Sequence, residues 1–354
     1  MVEIDLATDS ISGQIYSNVL GSIINLVAPM SGNIAYAVQQ PDLGSLKLSE
    51  ITVTDSKPPV SADRISGKDR YETAVAVSVS VSGRYSAETV YVVTGEQFPD
   101  ALAAGPAANA EDAPLLLTKS RFLPAVVREE ILRLKPKKVI IVGSAGAVSD
   151  SVLQEIKGMV PNTIRRGGLD RYATARAVVA GAFKSAYNVS FATGANYPDA
   201  LSADAASPVL LVRPGTTRLD SATKSLLKKL EVRPATIMGS TGVVSASFQR
   251  NVTEELLMTV RFGGKDRFET NRLANKDAVR SNTRTYFASG FDFPDALTVS
   301  ATIPRRQAVL YLVRPRCIPA SSKLDLAGTP TSLRVTLIGG PTIVGNEVAF
   351  GKTC

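Results

Sequence analysis

Histidine is missing from this 354-residue chain altogether, and so is tryptophan. The first absence removes Ser-His-Asp and Cys-His catalysis, imidazole proton shuttling and most zinc sites. The second removes the lectin-like site that stacks a sugar on an indole. Cysteine is scarce: Cys317 and Cys354 are the two. Two thiols cannot complete a structural zinc site, but in an oxidising exterior they can pair. Both lie in the last third of the chain. A Cys317–Cys354 disulfide is expected to tie down the C-terminus, contributing about 3–4 kcal/mol by closing that loop. No apolar run reaches the length of a membrane span, so no membrane partner is expected. The first residues, Met1-Val2-Glu3-Ile4-Asp5, are acidic where a secretory leader needs positive charge. The sequence as written therefore carries no signal peptide: either one was removed and a start Met added, or the protein leaves its cell by another route.

What is present is a basic surplus. Lys and Arg number 40 against 32 Asp and Glu, a net charge of +8, which favours polyanionic partners: nucleic acid, an anionic membrane or an acidic polymer. The length suits two or three domains.

Self-similarity then organises the chain. Gly67-Lys68-Asp69-Arg70-Tyr71-Glu72-Thr73 returns as Gly168-Leu169-Asp170-Arg171-Tyr172-Ala173-Thr174 and as Gly264-Lys265-Asp266-Arg267-Phe268-Glu269-Thr270. Downstream, Thr94-Gly95-Glu96-Gln97-Phe98-Pro99-Asp100-Ala101-Leu102 matches Thr193-Gly194-Ala195-Asn196-Tyr197-Pro198-Asp199-Ala200-Leu201 and Ser289-Gly290-Phe291-Asp292-Phe293-Pro294-Asp295-Ala296-Leu297. A third block is Pro114, Leu115, Leu116 and Leu117, echoed by Pro208, Val209, Leu210 and Leu211 and, without the proline, by residues 309–312. A fourth is Ile140-Ile141-Val142-Gly143, Thr236-Ile237-Met238-Gly239 and Thr336-Leu337-Ile338-Gly339. The repeat is roughly 95–100 residues, one compact domain. The divisions expected are residues 1–60, 61–160, 161–257 and 258–354.

Within a repeat, apolar periodicity predicts helices over 69–81, 100–109 and 125–134, and short buried strands over 89–94, 115–118 and 139–142. Ser149 opens a last helix as its N-cap. Near-continuous apolar strands between helices imply a parallel sheet covered on both faces. The first 55 residues do not repeat, and Asp55-Ser56-Lys57-Pro58-Pro59 reads as a linker. That segment is expected to be a separate attachment or oligomerisation element; the alternative is a strand and helix packed on the first repeat.

These blocks, from Arg64-Ile65-Ser66-Gly67 through Phe98-Pro99-Asp100-Ala101-Leu102 to Ile141-Val142-Gly143, closely resemble the cell wall binding repeat 2 family over about residues 62–350. The resemblance implies three tandem doubly wound α/β modules about a pseudo-threefold axis. It also implies non-covalent binding to an anionic secondary cell-wall polymer or teichoic-acid-like glycan, outside the cell. The Pro-Ile-Leu-Leu-type segment associated with that binding corresponds here to Pro114, Leu115, Leu116 and Leu117 and to Pro208, Val209, Leu210 and Leu211.

Residue chemistry adds candidates of its own. Lys119, Arg213 and Arg314 follow the three apolar runs, just beyond the carboxyl end of what reads as a central strand. Ligands of open α/β sheets bind outside such ends, and a cation there suits an anionic polymer. Asp100, Asp199 and Asp295 stand before Ala-containing helices, where a carboxylate can cap free N–H groups; no second carboxylate recurs beside them to make a catalytic pair. Arg70, Arg171 and Arg267 follow an aspartate at helix starts and read as salt-bridging residues within or between modules, the alternative being a phosphate or carboxylate contact of the ligand. Some of these, with Arg64, Arg165 and Arg261, are expected to build the threefold contact. Gly143-Ser144-Ala145-Gly146 lacks the ending of a phosphate-binding loop, and no cofactor or metal is expected.

Three functions compete at this level. Non-enzymatic wall-polymer binding accounts for the triplicate, the charge and the missing histidine. Nucleic-acid binding rests on charge alone, because the basic residues are spread and carry no recognised motif. A wall hydrolase would need a catalytic pair that is not repeated. With no leader, no sorting sequence and an unmatched N-terminal segment, the carrier is expected to be a bacteriophage virion, with other virion proteins as partners of residues 1–60; a secreted bacterial surface protein is the alternative.

Overall fold

The computed structural model describes residues 62–82, 86–276, 284–302, 308–322, 334–349 and 351–354, together with four strands nearer the N-terminus. Those strands, β1 (Gln14–Tyr16), β2 (Ile23–Val27), β3 (Ile34–Gln39) and β4 (Lys47–Thr52), form an antiparallel meander in sequence order. Antiparallel strands replace the strand and helix of the alternative reading. Met1–Val60 is one compact unit and Ser61–Cys354 another. The expected linker at 55–59 lies outside the described residues.

The second unit holds three parallel sheets. In the first, β6 (Thr89–Thr94) lies between β7 (Leu115–Thr118) and β8 (Lys138–Val142), and β9 (Thr163–Arg166) pairs with β8. The second repeats this order with β10 (Val189–Thr193), β11 (Val209–Val212), β12 (Pro234–Met238) and β13 (Met258–Phe262). In the third, β14 (Arg284–Ser289) lies between β15 (Ala308–Val313) and β16 (Arg334–Ile338). Its fourth strand is β5 (Ala62–Ile65), from the other end of the unit, paired in parallel with β16. Each sheet is thus completed by the first strand of the following repeat, and the third is completed by the first strand of repeat one. The three modules close into a ring.

Arginines staple those borrowed strands. Arg165 on β9 donates to the Gly143 carbonyl at 3.0 Å and to Asp150 at 2.9 Å. Arg261 on β13 donates to Gly239 O at 2.7 Å. Arg64 on β5 donates to Gly339 O at 2.5 Å and to Asn346 at 2.8 Å. One side chain thus fixes each incoming strand to the glycine turn after the strand it joins.

Covering helices follow in chain order. They are α1 (Arg70–Ser82), α2 (Ala104–Ala110), α3 (Ala125–Leu134), α4 (Asp150–Met159), α5 (Arg171–Ala182), α6 (Ser221–Lys229), α7 (Ala246–Leu256), α8 (Arg267–Asn275), α9 (Pro294–Ser300) and α10 (Asn346–Ala349). Ser149 caps α4 through the Val152 N–H, as expected. The caps of α1, α5 and α8 are Asp69, Asp170 and Asp266, each accepting two backbone N–H groups of its helix's first turn. The short helices α2 and α9 and the 3-10 turn Ala200–Ser202 occupy equivalent places at the centre of the ring. Their small residues allow this: Ala101, Ala104, Ala107 and Ala108 are fully buried. A side chain at Gly105 would run into Ser300 of the third module.

The expected disulfide is present: Cys317 and Cys354 are joined across 37 residues of sequence. No helix among the described residues is long and apolar enough to cross a membrane.

Candidate functional site

Strand register settles which residues are equivalent. Thr94 pairs with Thr118, Thr193 with Val212, and Ser289 with Val313. The next residues, Lys119, Arg213 and Arg314, therefore occupy one position three times, at the carboxyl ends of β7, β11 and β15. The same register puts Val309 where Pro114 and Pro208 stand. These strands are the outermost of their sheets, not the central ones expected. The order β7-β6-β8 puts the topological switch between β6 and β8, the usual ligand crevice of such sheets. Here that crevice is filled by the next module.

The filling explains Asp100, Asp199 and Asp295, which do not cap helices. The helix after Asp100 starts at Ala104 and has no side-chain cap, and neither the Ala200–Ser202 turn nor α9 is capped by a side chain. Instead Asp100 and Asp199 reach across module junctions. Asp100 is hydrogen-bonded to Thr174 of the second module and to the Ser144 N–H; Asp199 is hydrogen-bonded to Thr270 of the third. Each presses on a glycine held at positive φ: Gly143 at +110°, Gly239 at +100° and Gly339 at +100°. Burial raises all three acids above the ordinary carboxylate range, and Asp295 reaches about 6, with neighbouring Asp292 adding to the effect.

Arg70, Arg171 and Arg267 complete the junctions. Each donates to the carbonyl of its own module's Gly95, Gly194 or Gly290, at 2.5 Å for Arg70 and 2.6 Å for Arg267. Each also faces an aromatic ring of the preceding module: Arg70 over Phe293 at 5.9 Å, Arg171 over Phe98 at 5.7 Å and Arg267 over Tyr197 at 5.8 Å. Phe98, Tyr197 and Phe293 meet in a near-equilateral triangle, with centroids 5.6, 5.9 and 6.3 Å apart. That triangle marks the pseudo-threefold axis.

Outside this inner ring the three cations form a rim. Each rests on the aromatic that follows the junction arginine. Lys119 Nζ lies 5.8 Å from the Tyr71 ring and 4.7 Å from Phe122; the Arg213 guanidinium lies 4.2 Å from Tyr172, and that of Arg314 5.0 Å from Phe268. Glycine makes the shelf possible, since a Cβ at Gly194 or Gly290 would meet the ring at 2.7 or 2.5 Å. From surface to axis, every junction therefore reads cation, aromatic, arginine, aromatic. Sequence reading found the cations and arginines but gave the aromatics no role, although they recur inside the same blocks.

Charge at the three rims differs. Glu96 accepts from the Ser120 N–H at 2.9 Å and sits below the usual carboxylate range, chiefly through Ser120 and further through Lys119 and Arg70. Asp292 pairs with Arg70 at 3.3 Å across the junction of the third and first modules. Asp170 pairs with Arg213 at 2.5 Å; despite partial burial it is held low by backbone N–H groups and by that arginine. Arg314 has no ion-pair partner among the described residues and stands exposed.

The apolar segments expected to touch polymer do not reach the surface. Leu115, Leu116 and Leu117 are 0–2% exposed, and Val209, Leu210 and Leu211 no more than 9%, with Pro114 and Pro208 buried before them. They are core strands, and any influence on binding passes through the sheet. A surface groove of about 810 Å³ does exist between α6 and α7, lined by Lys224, Lys228, Arg233 and Glu255. It contains none of the repeated blocks and lies at the opposite strand ends from the rim.

Comparison with known proteins agrees with the triplicate. The family model for cell wall binding domain 2 (CWB2) matches residues 64–153, 165–249 and 261–349. The N-acetylmuramoyl-L-alanine amidase LytC of Bacillus subtilis (strain 168) is 28% identical over 294 residues, covering 82% of this chain and 57% of LytC. The amidase enhancer of the same organism is 31% identical over 221 residues, 61% of this chain and 29% of that protein. Among solved structures, Cwp6 from Clostridium difficile superposes with a TM-score of 0.76 at 22% identity, covering 92% of this chain and 58% of Cwp6. Cwp8 gives 0.73 at 23%, covering 90% and 58%. These two share the fold. The chain spans a little over half of LytC, Cwp6 and Cwp8, and less than a third of the amidase enhancer.

Proposed function

Because the chain belongs to the cell wall binding domain 2 family, we propose that it grips an anionic polymer of a Gram-positive cell wall, a secondary wall polymer or teichoic-acid-like glycan, without cutting the wall. The observation that carries this reading is the rim: Lys119, Arg213 and Arg314, each on an aromatic shelf, at one register position in three modules. A polymer with repeated phosphates or carboxylates can engage several such places at once. Weak single contacts then add through effective concentration, not through one deep pocket.

LytC is an amidase by name, so an amidase reading must be weighed. It lacks support within this chain. There is no histidine to serve as general base, and of the repeated carboxylates at the module junctions Asp199 is buried and Asp100 and Asp295 are partly buried. The part of LytC that this chain matches is read as its wall-binding part. The bacterial origin of the relatives favours a secreted surface protein over a bacteriophage virion, and the disulfide suits either exterior. Residues 1–60 are the natural attachment element on this reading.

The test is sedimentation of the chain with purified walls of Bacillus subtilis across a salt series, with wall turbidity followed in parallel. Binding that weakens with salt, at constant turbidity, is expected, because exposed charge pairs are screened within about 8–10 Å at physiological ionic strength. Salt-independent binding, or clearing of the suspension, contradicts the proposal.

A further inference from the structure

The three rims are built alike but are not equal, and the residue that distinguishes them is the second after each central strand. That residue is Glu96 in the first module, Ala195 in the second and Phe291 in the third, following Thr94, Thr193 and Ser289. The following residue is Gln97, Asn196 and Asp292, and Asp292 pairs with the next module's junction arginine, Arg70. Two acids thus fall on the rim between the third and first modules: Glu96 beside Lys119, and Asp292 on Arg70. They offset the two cations there. Between the first and second modules neither acid is present, but Asp170 occupies Arg213 directly. Between the second and third modules neither acid is present, and the ion pair is missing among the described residues.

What stands there instead is an aromatic ring. Phe291 is 51% exposed, unusual for a phenylalanine beside two charged groups. Its ring meets Phe268 edge to face at 5.6 Å. Two guanidiniums flank it, Arg267 at 5.6 Å and Arg314 at 5.8 Å. Neither arginine has a carboxylate partner within ion-pair distance among the described residues. Arg267 is fixed by the Gly290 carbonyl at 2.6 Å and lies 3.5 Å from the Tyr197 hydroxyl. The arrangement is a half-exposed apolar ring beside two guanidiniums, of which Arg267 is held in place by a hydrogen bond.

From this arrangement we infer that the rim between the second and third modules is the primary subsite, and that it takes an anionic sugar: a pyranose face on Phe291, its phosphate or carboxylate between Arg267 and Arg314. An aromatic ring accepts the C–H face of a sugar. Guanidinium forks suit phosphate and carboxylate oxygens. At each of the other two rims an acid already occupies a cation, Asp292 on Arg70 and Asp170 on Arg213, and these rims act as secondary contacts along the polymer. This ranking rests on the wall-polymer reading for its biological ligand, but the sugar-phosphate site can be tested without any wall.

The probe is glucose 1-phosphate, with glucose and inorganic phosphate as separate controls, followed by saturation-transfer NMR on the full chain. Saturation should reach the sugar ring protons of glucose 1-phosphate. It should fall strongly in Phe291→Ala and Arg314→Ala, and return in Phe291→Tyr. Phe291 is exposed, so Phe291→Ala should keep the parent's melting temperature, and this is checked first. On walls, Arg314→Ala should weaken binding about tenfold, the size of one lost charge-assisted contact. Lys119→Ala should weaken it about twofold, since its charge is already offset. No saturation in the parent, undiminished saturation in Phe291→Ala, or equal wall losses for Arg314→Ala and Lys119→Ala each overturn the assignment. A parent that holds glucose 1-phosphate through Phe291 yet ignores walls sinks the wall reading and leaves the subsite. A parent that sediments with walls while Phe291→Ala changes nothing does the reverse.

Discussion

The inner ring and the rim lie only one side chain apart, yet they differ in how faithfully they repeat. At the ring, Asp, Gly and Arg occur three times without substitution, and the aromatic triangle varies only between Phe and Tyr. At the rim, the cation is Lys or Arg, and its neighbour is an acid, an alanine or a phenylalanine. The reason is physical. A junction residue must satisfy buried partners from two modules at once, so a change leaves an uncompensated group. A rim residue faces water on one side, so its chemistry can diverge without cost to the fold. The ring holds the modules together, and the rim deals with the ligand.

The largest expected effect comes from breaking the ring. Gly239 sits at φ +100°, and a Cβ there would lie 2.6 Å from the buried Asp199 carboxylate. Gly239→Ala should cost about 3–4 kcal/mol by denaturant titration, combining backbone strain with displacement of that acid. A loss below 1 kcal/mol would show that the junction is slack.

A smaller effect of opposite sign should follow removal of one partly buried carboxylate. Asp295 titrates near 6 in the folded chain, above its ordinary value of 3.8. The folded state therefore holds this proton more tightly. The group's contribution to stability is complete below about pH 4 and is lost as pH rises through 6, a change of about 2–3 kcal/mol. Asp295→Asn should flatten that decline, making the variant gain on the parent between pH 4 and 7 in melting temperature. Parallel pH profiles would show that this carboxylate is solvated.

The smallest effect belongs to the rim. Arg213→Ala removes an exposed ion pair and a cation–aromatic contact, and should change stability by no more than about 1 kcal/mol. A loss as large as that of Gly239→Ala would erase the distinction between ring and rim.

Much of the fold could be read from the repeats. The strands at Thr89–Thr94 and Leu115–Thr118 and the helix at Ala125–Leu134 fall where apolar periodicity puts them. The borrowed strands could not be read that way. In β9, Thr163 is buried while Ile164 and the two arginines that follow are wholly or partly exposed, so no alternation shows. Their pairing is also with a strand of the preceding module, which no local pattern reports. The Pro-Asp motif looks like a helix start, and only the packed modules show that its carboxylate crosses a junction. The rim cations stood out because they follow a counted block. Their shelves did not, because Tyr71 and Tyr172 lie 48 and 41 residues earlier in the chain, brought under Lys119 and Arg213 by α1 and α5 packing on β7 and β11.

The most direct test is the combined variant Lys119→Ala, Arg213→Ala, Arg314→Ala in wall sedimentation at low and physiological salt. The account predicts a melting temperature close to the parent's, wall binding reduced far more than by any single change, and little remaining dependence on salt. A folded triple variant that sediments like the parent, with the parent's salt dependence, would contradict it.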